Sequence, residues 1–248
     1  MQVAGIDLAW GERARTGVAL TDDHGVLLRS ASVLFDEDIS DFLQGSAPSV
    51  IAIDAPITVT NPTGMRDCER DLSRDFRRFH AGTHPTNMTR PSMQPQPRAM
   101  RLVTRHSWEV DFRRPPSADI PVALEVYPHS SMVGLFGLDK VLAYKAKRGR
   151  TLASRVEQFE RLFALMERHC DTPLLLTENA RWHEIKRSTH SAKMQARLNL
   201  VEDELDAIFC AYVAWVFATR PEALVTYGNS AGGAIVTFPP PDRSLSDY

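Results

Sequence analysis

Four acidic residues set inside apolar sequence restrict the fold more than any other feature. They are Asp7 in Ala4-Gly5-Ile6-Asp7-Leu8-Ala9-Trp10, Asp54 at the end of Ile51-Ala52-Ile53-Asp54-Ala55-Pro56, Glu125 in Leu124-Glu125-Val126, and Asp206 in Leu205-Asp206-Ala207-Ile208. Apolar runs of this kind form the interior of a fold, and a lone carboxylate is costly to place there. A chain that buries four must let them compensate one another, through a shared cation or through arginine partners. The fold therefore has to gather positions that lie far apart in sequence.

The surrounding pattern predicts how. Val3 to Ala9 reads as a buried strand, and Thr16 to Thr21 and Val26 to Leu34 continue as strands separated by the turn formers Asp22, Asp23, His24 and Gly25. A short acidic helix over Asp38 to Gln44 precedes Val50-Ile51-Ala52-Ile53, a run typical of a central parallel strand covered on both faces. The opening is βββαβ. A helix is expected within Asn61 to Phe79, with Cys68, Leu72, Phe76 and Phe79 on its apolar face, then a strand over Val122 to Val126 and an amphipathic helix over Arg155 to His169. Glu202 to Thr219 is the most apolar helix, ending before Arg220-Pro221, and a terminal strand pair is expected at Leu224 to Tyr227 and Ala234 to Phe238. The last ten residues read as a loose tail. The class is α/β, a mixed central sheet flanked by helices, in one domain of 248 residues.

Residues 80–121 break this rhythm with a Pro-, Arg- and Met-rich insertion that carries, at most, a short helix near Ala99 to Ser107. Between Arg66 and Arg114 there are eleven arginines and no lysine against six carboxylates, a local surplus of positive charge in a chain whose net charge is only −2. That stretch is expected to border the carboxylates and bind phosphate; the alternative is that its arginines are structural ion-pair partners.

Carboxylate oxygens are hard ligands suited to Mg²⁺ or Mn²⁺, and two such ions activate a water and stabilise the leaving oxygen of a phosphodiester without any nucleophilic side chain. Each acid also has a plainer role: Asp7 or Asp54 as a strand-end turn cap, Glu125 as partner of an insertion arginine. Asp203 shares a helix face with Asp206 but also suits the positive end of a helix dipole.

Together with Cys68-Glu69-Arg70, Glu125-Val126-Tyr127-Pro128, Tyr144-Lys145-Ala146-Lys147-Arg148-Gly149-Arg150, Asp203-Glu204-Leu205-Asp206-Ala207 and Gly233-Ala234-Ile235-Val236, these segments resemble, over nearly the whole chain, a family of predicted ribonuclease-H-like nucleases known as domain of unknown function 429. The resemblance implies a ribonuclease-H-like fold with Asp7 as central metal ligand, Asp54 and Glu125 from neighbouring strands, and Asp206 with Asp203 from the last helix. Arg70, Lys145, Lys147, Arg148 and Arg150 are the expected contacts to substrate phosphate; otherwise they form a solvated basic loop and, for Arg70, a salt bridge with Glu69.

Other signals lead elsewhere and are set aside. Gly228-Asn229-Ser230-Ala231-Gly232 matches a G-x-S-x-G elbow, but a strand follows it and no histidine lies beyond His190, so it reads as a hairpin turn. His80 and His84 are interrupted by Gly82 and Pro85, and neither a P-loop nor a G-x-G-x-x-G segment occurs. Three widely spaced cysteines exclude a disulfide framework, and no apolar run is long enough to span a membrane, so a cytoplasmic protein acting on nucleic acid is expected. Two rivals to the nuclease are an actin-like phosphotransferase or phosphatase, disfavoured because that fold needs two copies of this unit, and a catalytically silent, nuclease-derived module that binds nucleic acid or protein. Oligomeric state is not encoded in any of these features.

Overall fold

The computed structural model describes residues 1–11, 14–111 and 113–242. Its elements run β1 (Val3–Asp7), β2 (Thr16–Thr21), β3 (Leu27–Val33), α1 (Asp36–Leu43), β4 (Val50–Ile53), α2 (Asp67–Phe76), α3 (Arg98–His106), β5 (Val122–Glu125), α4 (Pro128–Phe136), α5 (Leu152–His169), the single turn α6 (Asp171–Leu174), α7 (Ala180–His190), α8 (Gln195–Thr219), β6 (Val225–Asn229) and β7 (Gly233–Thr237).

Five strands form one mixed sheet in the order β3-β2-β1-β4-β5. β1, β2 and β3 are an antiparallel meander, and β4 and β5 join on the other side parallel to β1. Every residue of β4 and β5 is buried, as a parallel pair covered on both faces requires. The alternation of side chains along the strands divides the interior in two. Val3, Ala19, Val50, Ala52, Val122 and Leu124 face a core built from α2, α4, α5, α7 and α8. Ala4, Ile6, Val18, Leu20, Ile51 and Ile53 face a smaller one closed by Ile39 and Leu43 of α1 and Ala99, Leu102 and Val103 of α3. β6 and β7 form a separate hairpin that touches the sheet through a parallel bridge between Val126 and Val236.

Several expected elements are shifted. The segment before Asp67 is not helical, so the helix expected within 61–79 is α2 plus a 3-10 turn at Arg77–Phe79. α8 begins at Gln195, well before Glu202, because its first turns are amphipathic rather than wholly apolar and bury Leu198 and Val201. α4 and α7 were not anticipated. α4 has Pro128 at its first turn and Gly137 with φ of 62° at its end, and Asn179 caps α7 by accepting from the Trp182 amide at 3.1 Å. The 80–121 insertion holds α3 and a 3-10 turn at Pro91–Met93, and Met88 N–H bonds back to Asn61 at 3.0 Å. Residues 228–232 lie at the β6–β7 hairpin turn, where Asn229 pairs with Gly233. Of the expected tail, residues 243–248 lie outside the described residues.

Candidate active site

Asp7 is the last residue of β1, and Asp54 directly follows β4. The two strands are parallel neighbours with Ile6 opposite Ile53, and Asp54 N–H donates to Ile6 O at 2.8 Å, so both carboxylates emerge side by side at one end of the sheet. α8 supplies the others. A methyl group on Gly5 would sit 2.1 Å from the Ala207 carbonyl oxygen, and one on Gly17 would sit 1.8 Å from that of Asp203. Glycine at both positions lets the α8 backbone lie directly on β1 and β2, which carries Asp203 and Asp206 to the same end.

Crowding and burial govern the electrostatics. Burial is the main reason that Asp7 holds its proton well above the usual carboxylate range; Lys145 opposes the shift, while Asp54, Asp206 and Asp203 add to it. Asp54 is raised to about 7, first by burial and then by Asp206 and Glu125 against the pull of Lys145, with a hydrogen bond to Asp7 lowering it. Asp203 is also raised to about 7, by burial and by Glu202 and Asp206. Into this group reaches Lys145. Burial disfavours its ammonium, but Asp206, Asp7, Tyr144 and Asp54 outweigh that and hold it well above its usual value.

Lys145 Nζ lies 2.6 Å from Asp206 Oδ2 and 3.9 Å from Asp7 Oδ2. Tyr144 O–H donates to Asp206 Oδ1 at 2.6 Å. Asp206 is completely buried, and the short contact from Lys145 lies outside hydrogen-bond geometry, so Oδ2 has charge compensation but no hydrogen-bond donor among the described residues.

Glu125 is placed differently. It ends β5 beside Asp54, yet Arg66 Nη1 and Nη2 donate to its two oxygens at 2.8 and 2.5 Å, and Ile57 N–H adds a bond of 2.9 Å. Arg66 also holds Glu69 through Nε at 2.9 Å. Both partners of the Arg66–Glu125 pair are buried, with side-chain exposures of 2% and 6%. Burial raises the Glu125 carboxyl and Arg66 pulls it back down. Glu125 is therefore engaged as the ion-pair partner of an arginine, the plainer of its two expected roles, with two donors on Oε2 and one on Oε1.

Among the expected phosphate contacts only Lys145 lies in the cleft. Arg70 forms an exposed pair with Asp67 and does not pair with Glu69. Lys147 and Arg148 are exposed, and Arg150 folds back to donate to Lys145 O at 2.7 Å, bracing the loop that carries the lysine. The arginine-rich stretch is largely spent on ion pairs: Arg66, Arg70, Arg74, Arg78, Arg98, Arg105, Arg113 and Arg114 all have carboxylate partners.

Three cleft residues were not singled out from sequence. Tyr144 fixes Asp206. Tyr127 is pushed above its usual range by burial and by Asp54 and Asp206. His129 is kept neutral by burial and by Lys145, Arg150 and His84; its Nδ1 lies 3.3 Å from Tyr127 Oη, while its buried Nε2 has no partner among the described residues. The available signal was proximity: Tyr127 and His129 directly follow Glu125, and Tyr144 precedes Lys145.

Among the described residues no set of three or more His, Cys, Asp or Glu side chains is already arranged to hold a metal ion; an ammonium sits among the aspartates instead. The donor chemistry still fits a hard divalent ion at Asp7, Asp54, Asp206 and Asp203, where Asp206 Oδ2 lacks a donor and the carboxylates repel one another. A family model described as protein of unknown function, DUF429, matches residues 5–231. No curated protein and no solved structure matches the chain.

Proposed function

The chain belongs to the DUF429 family, and from the cleft enclosed by the matched residues we propose that it is a ribonuclease-H-like nuclease that hydrolyses phosphodiester bonds of nucleic acid with Mg²⁺ or Mn²⁺. The observation that carries this reading is the convergence of Asp7, Asp54, Asp203 and Asp206, from two strands and a helix, at one end of the sheet. The βββαβ opening and the strand order β3-β2-β1-β4-β5 support the fold assignment.

Asp7, Asp54 and Asp206, with Asp203 beside them, would hold the ion. Bound there, it supplies a water acidic enough to attack phosphorus near neutral pH and charge to steady the leaving oxygen. The chain's own residues do the positioning. Tyr144 fixes the Asp206 rotamer, and the Arg66–Glu125 pair forms a rigid wall next to Asp54. Lys145 reaches Asp206 and Asp7, so its ammonium is also placed to hold a phosphate oxygen at the same point. Neutral His129, with Nε2 unpartnered, is a proton acceptor or donor within the cleft wall.

A second reading is favoured by the Lys145–Asp206 pair itself, which already places a cation among the aspartates: a silent nuclease-derived module that binds nucleic acid without cutting it. Cleavage of labelled DNA and RNA with Mn²⁺, by the wild type and by Asp7→Asn, separates the two. Cutting that disappears in the variant supports the nuclease, and binding without cutting by the wild type supports the silent module.

A further inference from the structure

A cavity of about 580 Å³ lies away from the arginine-rich insertion, between the edge strand β3 and helices α7 and α8. Its charged lining is Arg15, Arg181, Arg187 and Arg197 against Glu184 and Glu204. Both glutamates are already engaged. Arg181 Nε and Nη2 donate to the two oxygens of Glu204, each at 2.8 Å, and its Nη1 donates to Glu184 at 2.8 Å. Ser30 O–H donates to Glu204 at 2.6 Å as well. One arginine thus satisfies both carboxylates, and Arg15, Arg187 and Arg197 are left with no ion-pair partner among the described residues. Hydroxyls accompany them: Ser188 and Ser191 line the cavity from α7 and its end, and Ser32 Oγ is buried on β3 with no hydrogen-bond partner.

Arg15 and α8 relate the groove to the surroundings of the carboxylate cleft. Arg15 precedes β2 at the same sheet end as Asp7, since Gly17 is paired with Asp7, and its charge acts on Asp203. α8 lies between the two features, presenting Asp206 to the cleft and Arg197, Val201 and Glu204 to the groove.

We infer that this groove binds the phosphodiester backbone of nucleic acid and leads it to the carboxylate cleft, an assignment that rests on the nuclease reading for the identity of its ligand. Guanidinium groups suit this role because their planar forks match phosphate oxygens, and three with no carboxylate to neutralise them, beside hydroxyl donors in a half-open groove, offer successive phosphates charge without base selectivity. Sequence composition pointed to the stretch from Arg66 to Arg114, but most of those arginines are paired; unpaired charge, rather than arginine number, marks the binding face.

The test is binding of a fluorescently labelled oligonucleotide by anisotropy, in EDTA and in the Asp7→Asn background so that nothing is cut, across a salt series. Arg187→Gln/Arg197→Gln is compared with Arg161→Gln/Arg168→Gln, which removes two exposed arginines of α5 outside the groove. Losing two phosphate contacts should lower the slope of log affinity against log salt by about 1.8 for duplex or about 1.4 for single strand, and weaken binding roughly tenfold or more, with the control pair near the parent. Equal binding by the two double variants, or no binding by the parent, overturns the inference. A Mn²⁺ cleavage assay on the wild type keeps the two ideas distinct. Groove-dependent binding without cleavage removes the nuclease reading alone, and cleavage with groove-independent binding removes the groove alone.

Discussion

Glu125→Gln tests whether the cleft divides into a structural and a functional half. In the folded chain Glu125 Oε2 accepts from Ile57 N–H and Arg66 Nη1, and Oε1 accepts from Arg66 Nη2. An amide in its place has one acceptor oxygen and one NH₂, so at least one N–H donor must face another donor. The substitution also removes the main charge that compensates Arg66, whose side chain is 2% exposed. Breaking a buried pair in this way costs about 3–5 kcal/mol, and a residual bond from Arg66 to Glu69 places the loss toward the lower figure. For a chain near this size each kcal/mol shifts Tm by about 2–4 °C, so a drop of roughly 6–12 °C is expected. The measurement is a thermal melt with and without Mn²⁺: the metal-free Tm should fall, while the metal-induced increment remains as in the wild type. A variant that melts like the wild type but no longer responds to Mn²⁺ would show that Glu125 is a ligand after all, and that its pairing with Arg66 is of no energetic consequence.

Asp7→Asn should do the reverse: in EDTA at pH 8 it should melt at or above the wild type, because Asp7 is crowded by Asp54, Asp206 and Asp203, and it should lose both the Mn²⁺ increment and cleavage; an unchanged increment would remove Asp7 from the site. Asp54 and Asp203 keep their protons to about pH 7 in the folded state, against 3.8 ordinarily, so the folded chain holds more protons than the unfolded one between about pH 4 and 7. Metal-free stability should therefore fall across that window as pH rises, by up to roughly 4 kcal/mol for Asp54, and a urea midpoint that rises from pH 4 to 7 would contradict this. Gly17→Ala places a methyl 1.8 Å from the Asp203 carbonyl and should cost roughly 3 kcal/mol or more, whereas Gly11→Ala meets nothing within 4 Å and should stay within about 0.5 kcal/mol; equal chemical-denaturation midpoints would refute the close helix-on-sheet contact.

The sheet could be read from sequence because its strands carry the simplest signal, short apolar runs whose length and alternation leave one interpretation. Val50 to Ile53 and Val122 to Glu125 are buried throughout, and periodicity reports burial directly. α4 and α7 were harder to see because neither shows an apolar stripe at helical spacing: α4 is short and buries its serines along with its apolar residues. α7 buries only Trp182, Ile185 and Thr189, and its boundaries are written in single capping residues rather than in a pattern. The insertion was opaque for a related reason: what organises it is tertiary, such as Arg98 donating to Asp36 at 2.7 Å and Arg105 donating to Glu37 at 3.1 Å, and neither partner announces the other along the chain.

The acids of α8 show where the limit lies for the site. Asp203, Glu204 and Asp206 are near neighbours in one apolar helix, and their spacing in sequence does not say where each side chain ends up. Their positions around the helix send them to three environments. Glu204 turns toward β3 and α7, where Arg181 and Ser30 occupy its oxygens; Asp206 turns toward Tyr144 and Lys145; Asp203 lies over Gly17 at the sheet end, within the influence of Arg15. Glu125 and Asp206 differ in the same way, since one accepts three hydrogen bonds from Arg66 and Ile57 while the other has one hydrogen bond, from Tyr144, and a lysine that sits among further aspartates. A buried carboxylate with complete partners is already at its free-energy minimum and gains little from a further cation, whereas an incompletely bonded one surrounded by like charges gains a great deal. On the proposed reading, function follows unmet capacity, at the aspartates for a cation and at Arg15, Arg187 and Arg197 for an anion, and that quantity exists only once the partners have been brought together by the fold.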